Sequence, residues 1–401
     1  MSLRKQSFSL LVLSGISSGI SAVFLITYAR ATTPADFGHQ FVLLNASLIA
    51  AALADFGHNT KFARDLSKGV ITIGYWLVST VHKIGISIGV AVLGCIFSAV
   101  LGGPFAVEHW LLMISSFIVT SLYVPMRATF KVVAVGTLQL IERCLQLVSF
   151  LSLSAWGERP SLIHIFLFAN GITLLAACGY LARKSLLTRS GNSTFTWPWR
   201  GTLALGAGGI LPLIQNLDVN VLGLVAGPAA TGSYSAVMRW TNSMGIAASA
   251  YSQAALPWMA RVRTEPENLR KLASASWMLL ASCVACLAIS LFGSQIVHLL
   301  LGADYVAAGA ALSWLALGMI PAIVNQPLAG FLQVNHREAY VFGAVGACVL
   351  LQLVLVAVLG RSGGAQGAAQ AYAVAEVSMF AALSAAAFSE VLKIREVHRA
   401  K

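Results

Sequence analysis

Residues 84–101 read IGISIGVAVLGCIFSAVL, a stretch without a charged side chain that begins directly after Lys83. A helix needs about 20 mostly apolar residues to cross the hydrocarbon core of a bilayer. Inside a bilayer every backbone polar group must be satisfied by helix or closed barrel, and a run this long and unalternated fits the helix. The same reading extends in both directions along the chain. Apolar stretches of spanning length lie at roughly 7–29, 38–57, 84–101, 109–126, 137–156, 161–182, 201–226, 231–257, 272–293, 305–332, 338–359 and 366–391. They predict an all-α polytopic membrane protein with twelve transmembrane helices. Composition agrees, with 58% of residues hydrophobic, only 10% charged and a mean hydropathy of +0.79, which excludes a soluble 401-residue domain. The first stretch is too long for a signal-peptide core and is followed by eleven more, so it is read as a permanent helix.

The basic residues predict the orientation. Lysine and arginine are retained on the cytoplasmic side of short loops, and all but four of the 26 fall in the two tails, in alternate gaps or, like Arg143, near the adjoining end of a span. Arg4 and Lys5, then Lys61, Arg64, Lys68 and Lys83, then Arg127, Lys131 and Arg143 share a side with Arg183, Lys184, Arg189 and Arg200. Arg261, Arg263, Arg270, Lys271, Arg337 and the C-terminal Lys393, Arg395, Arg399 and Lys401 complete that side. Arg30, Arg159 and Arg361 lie opposite, and Arg239 lies inside a span. Both termini are therefore expected in the cytoplasm. The net charge of +12 belongs to topology and to contact with anionic membrane lipids, and no nucleic acid is expected as a partner.

The six cysteines lie in or beside the spans, and Cys283 and Cys286 read as small packing residues of an apolar helix. The histidines show no ligand spacing, and there is no nucleophile elbow, phosphate loop or dinucleotide fingerprint. No enzyme, cofactor or metal is expected.

The polar interval from Arg183 to Arg200, with Ser190-Gly191-Asn192-Ser193-Thr194 inside it, divides the chain into a six-helix lobe over 1–189 and another over 190–401. Pro34-Ala35-Asp36-Phe37-Gly38 after the first span recurs as Pro228-Ala229-Ala230-Thr231-Gly232 after the seventh. Because six is even, such repeats are parallel and related by a pseudo-two-fold axis along the membrane normal, the arrangement of rocking transporters. The gaps on the outer side, such as 102–108, 157–160, 294–304 and 360–365, are too short for the periplasmic domain of a glycan polymerase or ligase.

Polar residues inside the spans are the candidate site. Asp218 lies ten residues before Pro228 and Arg239 eleven after it, so both lie about 15 Å from that turn, near mid-membrane. Gln215 and Asn242 obey the same spacing, and Asn216 and Asn220 extend the polar stripe. Ionisable groups in spans usually face a bundle interior or a wet cavity; Asp218 and Arg239 are read either as a structural ion pair or as cavity-lining groups. Glu376, among Ala and Val, is placed to bind a proton or to pair structurally. Asp55 is placed to cap a helix end or to face a cavity, Glu142-Arg143 forms an interfacial pair, and Arg30 either anchors to Asp36 or serves the outer side. Pro212, Pro321 and Pro327 break helical hydrogen bonding and are candidate hinges, with Asn325 and Gln326 between the last two.

Ala29-Arg30, Pro34, Phe37-Gly38, Asp55-Phe56-Gly57, Arg64-Asp65 and Gly69 resemble the N-terminal signature of the Wzx-type O-antigen and repeat-unit flippases. These belong to the multidrug/oligosaccharidyl-lipid/polysaccharide superfamily. Asp218, Gly232, Tyr234, Arg239 and Pro257 resemble the second-half counterpart. The resemblance implies two lobes about a central cavity in a bacterial inner membrane. It also implies transfer of an undecaprenyl-diphosphate-linked oligosaccharide, such as a lipopolysaccharide repeat unit, from the cytoplasmic to the periplasmic leaflet. Under it, Arg239 and Arg30 would hold the diphosphate, and Gln215, Asn216, Asn220 and Asn242 the glycan. Asp218, Glu376 or Asp55 would couple transport to a proton or sodium ion, and a polysaccharide polymerase and chain-length regulator would act on the product. A drug or organic-cation antiporter of the same superfamily is the alternative.

Overall fold

The computed structural model describes residues 3–101, 106–129, 131–157, 160–184, 197–202, 213–245 and 276–399, with isolated positions between them. Pro212, Pro257, the Ser190–Thr194 interval and the basic gap from Arg261 to Lys271 lie outside the described residues, as does the side chain of Asn242.

The protein is all-helical, as the sequence predicts. Helix α1 spans Leu3–Arg30, α2 Pro34–Asp55, α3 His58–Ser67, α4 Ile73–Leu101, α5 Val107–Ala128, α6 Val132–Ala155 and α7 Leu162–Arg183. Then follow α8 (Asp218–Met244), α9 (Trp277–Leu291), α10 (Gly293–Leu301), α11 (Val306–Val334) and α12 (Glu338–Arg399). Among the described residues nine helices are long and apolar enough to cross a membrane, and α9 with α10 forms a further pair bent by 74°. Two of the nine are double. Helix α8 breaks at Gly227 (φ 80°) and α12 at Gly364 (φ 54°), left-handed conformations that glycine adopts without a Cβ clash. Each of the twelve expected spans carries helix.

Two differences from the sequence reading matter. The expected gap at 294–304 is largely helix α10. The span expected at 84–101 begins at Ile73, so Lys83, read as a loop cation, lies inside α4 and is fully buried. Large apolar side chains such as Leu93, Leu175, Leu224 and Leu299 are left facing outward, as lipid contact requires and water would penalise.

The chain forms two compact units, residues 1–28 with 40–216, and residues 29–39 with 217–401. In the first, Trp76, Phe117, Leu122, Tyr123, Met126 and Leu181 fill the core. Gln40 ties two elements together, accepting hydrogen bonds from Tyr28 Oη at 2.7 Å and from the Leu162 amide at 2.7 Å. Helix α2 ends where Phe56 (φ 38°) and Gly57 (φ 75°) turn left-handed, and the Asp55 carboxylate accepts the Asn59 amide at 3.3 Å to start α3. The segment 197–202 docks on this elbow: Trp199 Nε1 donates to the Ala54 carbonyl at 3.0 Å, and Lys61 Nζ to that of Arg200.

In the second unit, small residues let helices approach closely. Gly318 of α11 meets Tyr372 and Ala373 of α12, and Ala368, Ala369 and Ala371 are fully buried. Pro34 opens α2 after a Thr33 cap, whose hydroxyl accepts the Asp36 amide at 3.2 Å and donates to the Asp36 carboxylate at 2.7 Å. The repeated motif meets itself here. A Cβ on Gly38 would overlap the Pro228 carbonyl oxygen, and one on Gly232 would overlap the Pro34 carbonyl oxygen.

Candidate functional site

Asp218 opens α8 and is fully buried. One carboxylate oxygen accepts the Val219 amide at 2.6 Å; the other accepts Tyr234 Oη at 2.7 Å and Gln352 Nε2 at 3.1 Å. Among the described residues these are its partners, and Arg239 is not one of them. Tyr234 and Arg239 are five positions apart, about 140° around a helix, so the face that brings tyrosine to Asp218 turns arginine away. Arg239 is half-buried and engaged elsewhere.

The polar stripe is also interrupted. Asn216 and Leu217 form a turn, so Gln215 and Asp218 do not share one continuous helical face. Gln215 and Asn216 belong to the first unit, where Asn45 Nδ2 donates to the Asn216 carbonyl at 2.8 Å; Asp218, Asn220 and Arg239 belong to the second.

Glu376 is nearly fully buried in α12. Asn325 of α11 donates through Nδ2 to its carboxylate at 2.9 Å and to its backbone carbonyl at 3.1 Å. Asn325 lies between Pro321 and Pro327, so the acid is held by the stretch of α11 that its two prolines bracket. The neighbouring Gln326 accepts Ser249 Oγ at 2.9 Å. Arg30 is exposed at the end of α1 and, among the described residues, has no hydrogen-bond or ion-pair partner; Asp36 is engaged by Thr33 instead. Glu142 and Arg143 do approach each other, at 3.5 Å, with Arg143 also donating to Gln146 at 2.9 Å.

The first unit holds a polar cluster that the sequence reading missed. Lys83 Nζ donates to Asp55 at 2.9 Å, to Asn59 Oδ1 at 3.0 Å and to Ser121 Oγ at 3.0 Å. It also lies 4.3 Å from the Phe117 ring centroid. Beside it, His58 stacks on Phe62 and meets Ser79 Oγ at 3.2 Å. Burial, reinforced by the Lys83 ammonium, lowers the His58 imidazole to about 2, so the ring is neutral. The signal was present in the sequence. Residues 73–82 before Lys83 are mostly apolar, and a helix continued through them would have placed the ammonium inside.

A family model described as polysaccharide biosynthesis protein matches residues 3–263. The chain belongs to this family. A second model, MatE, matches residues 208–358. Among solved structures, lipid II flippase MurJ in an inward closed conformation is similar over 96% of this chain and 89% of that one, with 12% identity and a TM-score of 0.76. An inward-facing multidrug resistance MATE transporter of the MOP superfamily is similar over 97% of this chain and 96% of that one, with 15% identity and a TM-score of 0.65. The bent form of MATE transporter VcmN from Vibrio cholerae gives 97% and 98% coverage, 14% identity and a TM-score of 0.57. No curated protein matches the chain. At these identities the structures establish the fold. The chain is thus a multi-pass membrane member of the polysaccharide biosynthesis family whose fold is similar to that of these structures.

Proposed function

We propose that the protein flips an undecaprenyl-diphosphate-linked oligosaccharide, an O-antigen or other repeat unit, from the cytoplasmic to the periplasmic leaflet of a bacterial inner membrane. The match of a polysaccharide biosynthesis model over residues 3–263 carries this reading. The fold shared with a lipid II flippase supports it. A diphosphate needs cations, and Arg30 and Arg239 are the ones assigned to it, since the guanidinium fork suits paired phosphate oxygens. Gln215, Asn216, Asn220 and Asn242 supply amides for sugar hydroxyls. Asp218 and Glu376 are the coupling acids for a proton or sodium ion, and a polymerase with its chain-length regulator would take up the product outside.

Leaflet-resolved labelling of the lipid-linked glycan in a strain lacking the protein tests the proposal. Repeat units should accumulate on the cytoplasmic leaflet while their synthesis continues. Flipping at the normal rate with no other flippase present would overturn it. The MatE match over 208–358 favours a second reading, export of organic cations; under it, the null strain would flip its glycolipid normally and become sensitive to cationic drugs.

A further inference from the structure

The ammonium of Lys83 lies where a free cation would be expected. Its three N–H donors meet three oxygens contributed by three elements: Asp55 at the end of α2, Asn59 in α3 and Ser121 in α5. Two of these acceptors are also held by contacts of their own. The Ser121 hydroxyl proton is committed to the Phe117 carbonyl at 2.8 Å, so only lone pairs face the site. Asp55 is an acceptor held by the Asn59 amide, and the Phe117 ring adds its negative face at 4.3 Å. His58 beside it is neutral and contributes no competing charge.

We propose that Lys83 is a tethered monovalent cation: its ammonium fills a cation site built by Asp55, Asn59, Ser121 and Phe117, and deleting the tether opens that site to a free alkylammonium ion. The lysine thereby closes the α2–α3 elbow without a diffusible ion, and the integrity of the first unit is independent of the salt around it.

The test uses the full-length protein in detergent and its Lys83→Ala variant, which lacks only the atoms of a propylammonium ion. Melting temperatures are compared in N-methylglucamine chloride, too bulky to enter, and in n-propylammonium, potassium and sodium chloride of equal ionic strength. The wild-type protein should melt at one temperature in all four. Lys83→Ala should fall by about 5 °C or more in N-methylglucamine, because a partly buried carboxylate that loses its cation is destabilising. It should regain at least half of that loss in propylammonium, and Asp55→Asn/Lys83→Ala should show no response. A Lys83→Ala protein that no small cation raises above the N-methylglucamine value, or a double variant that responds equally, would overturn the proposal. If Lys83→Ala fails to accumulate, the neutral double variant decides: its recovery supports the charge-compensating role, and its failure shows that the lysine serves shape alone.

Discussion

Asp218 spends its two oxygens on Tyr234, Gln352 and its own helix terminus. Tyr234→Phe should therefore cost about 1–3 kcal/mol of stability, the penalty of a buried acceptor losing a donor, and be read as a lower melting temperature. Arg239→Lys should keep the protein at normal levels in the membrane while lowering glycolipid transport about tenfold, through loss of the guanidinium fork. The exchanged Asp218→Arg/Arg239→Asp protein should fail to fold, because each group would enter surroundings built for the other; wild-type levels of it would refute this arrangement. His58 gives a pH prediction. Its folded value lies far below the ordinary 6.5, so the unfolded chain binds the extra proton, and the stability contribution is complete above about 6.5 and falls as pH drops below it. His58→Gln should flatten the decline in melting temperature between pH 6.5 and 5. That Asp218 and Glu376 are buried acids was legible in the sequence, since a charge among apolar neighbours has nowhere else to go. Their partners were not, because these depend on rotation about each helix and on the turn at Asn216-Leu217. Lys83 was hidden because a lysine at the edge of an apolar run reads equally well as a headgroup contact.

At the scale of elements, the interlocked turns make a symmetric prediction. Gly38→Ala and Gly232→Ala each drive a Cβ into a backbone carbonyl, which cannot move aside as a flexible side chain can. Both should lower the melting temperature by similar amounts, several degrees or more, whereas Gly343→Ala, with open space around it, should change little. A large effect at one glycine and none at the other would contradict the reciprocal packing. The repeat of Pro-Ala-x-x-Gly was readable from the sequence, and so were most helices, because hydropathy and length suffice for a membrane span. What the motif does was not readable, since an approach between two backbones leaves no trace except the missing side chain. Helix α10 escaped for a related reason: nine residues are too few to register as a span, so an outer gap was expected where the chain turns through 74° and continues as helix.

For the molecule as a whole, the partition of basic residues predicts that both termini face the cytoplasm. Reporter fusions at Gly103, Pro228 and Gly363 should read as periplasmic, and those at Gly69, Gly191 and Arg263 as cytoplasmic; opposite readings at two or more sites would refute this topology. Lys83 does not weaken the argument, because it leaves the loop count without joining the other side. The reciprocal turns carry a consequence for how such a chain could arise. Position 38 meets 228 and position 232 meets 34, the pairing pattern of an isologous dimer, in which one surface patch is complementary to its own copy. A six-helix ancestor bearing a single Pro-Ala-x-x-Gly turn would already have possessed both halves of this contact, and gene fusion would have made permanent a junction that two separate copies could form.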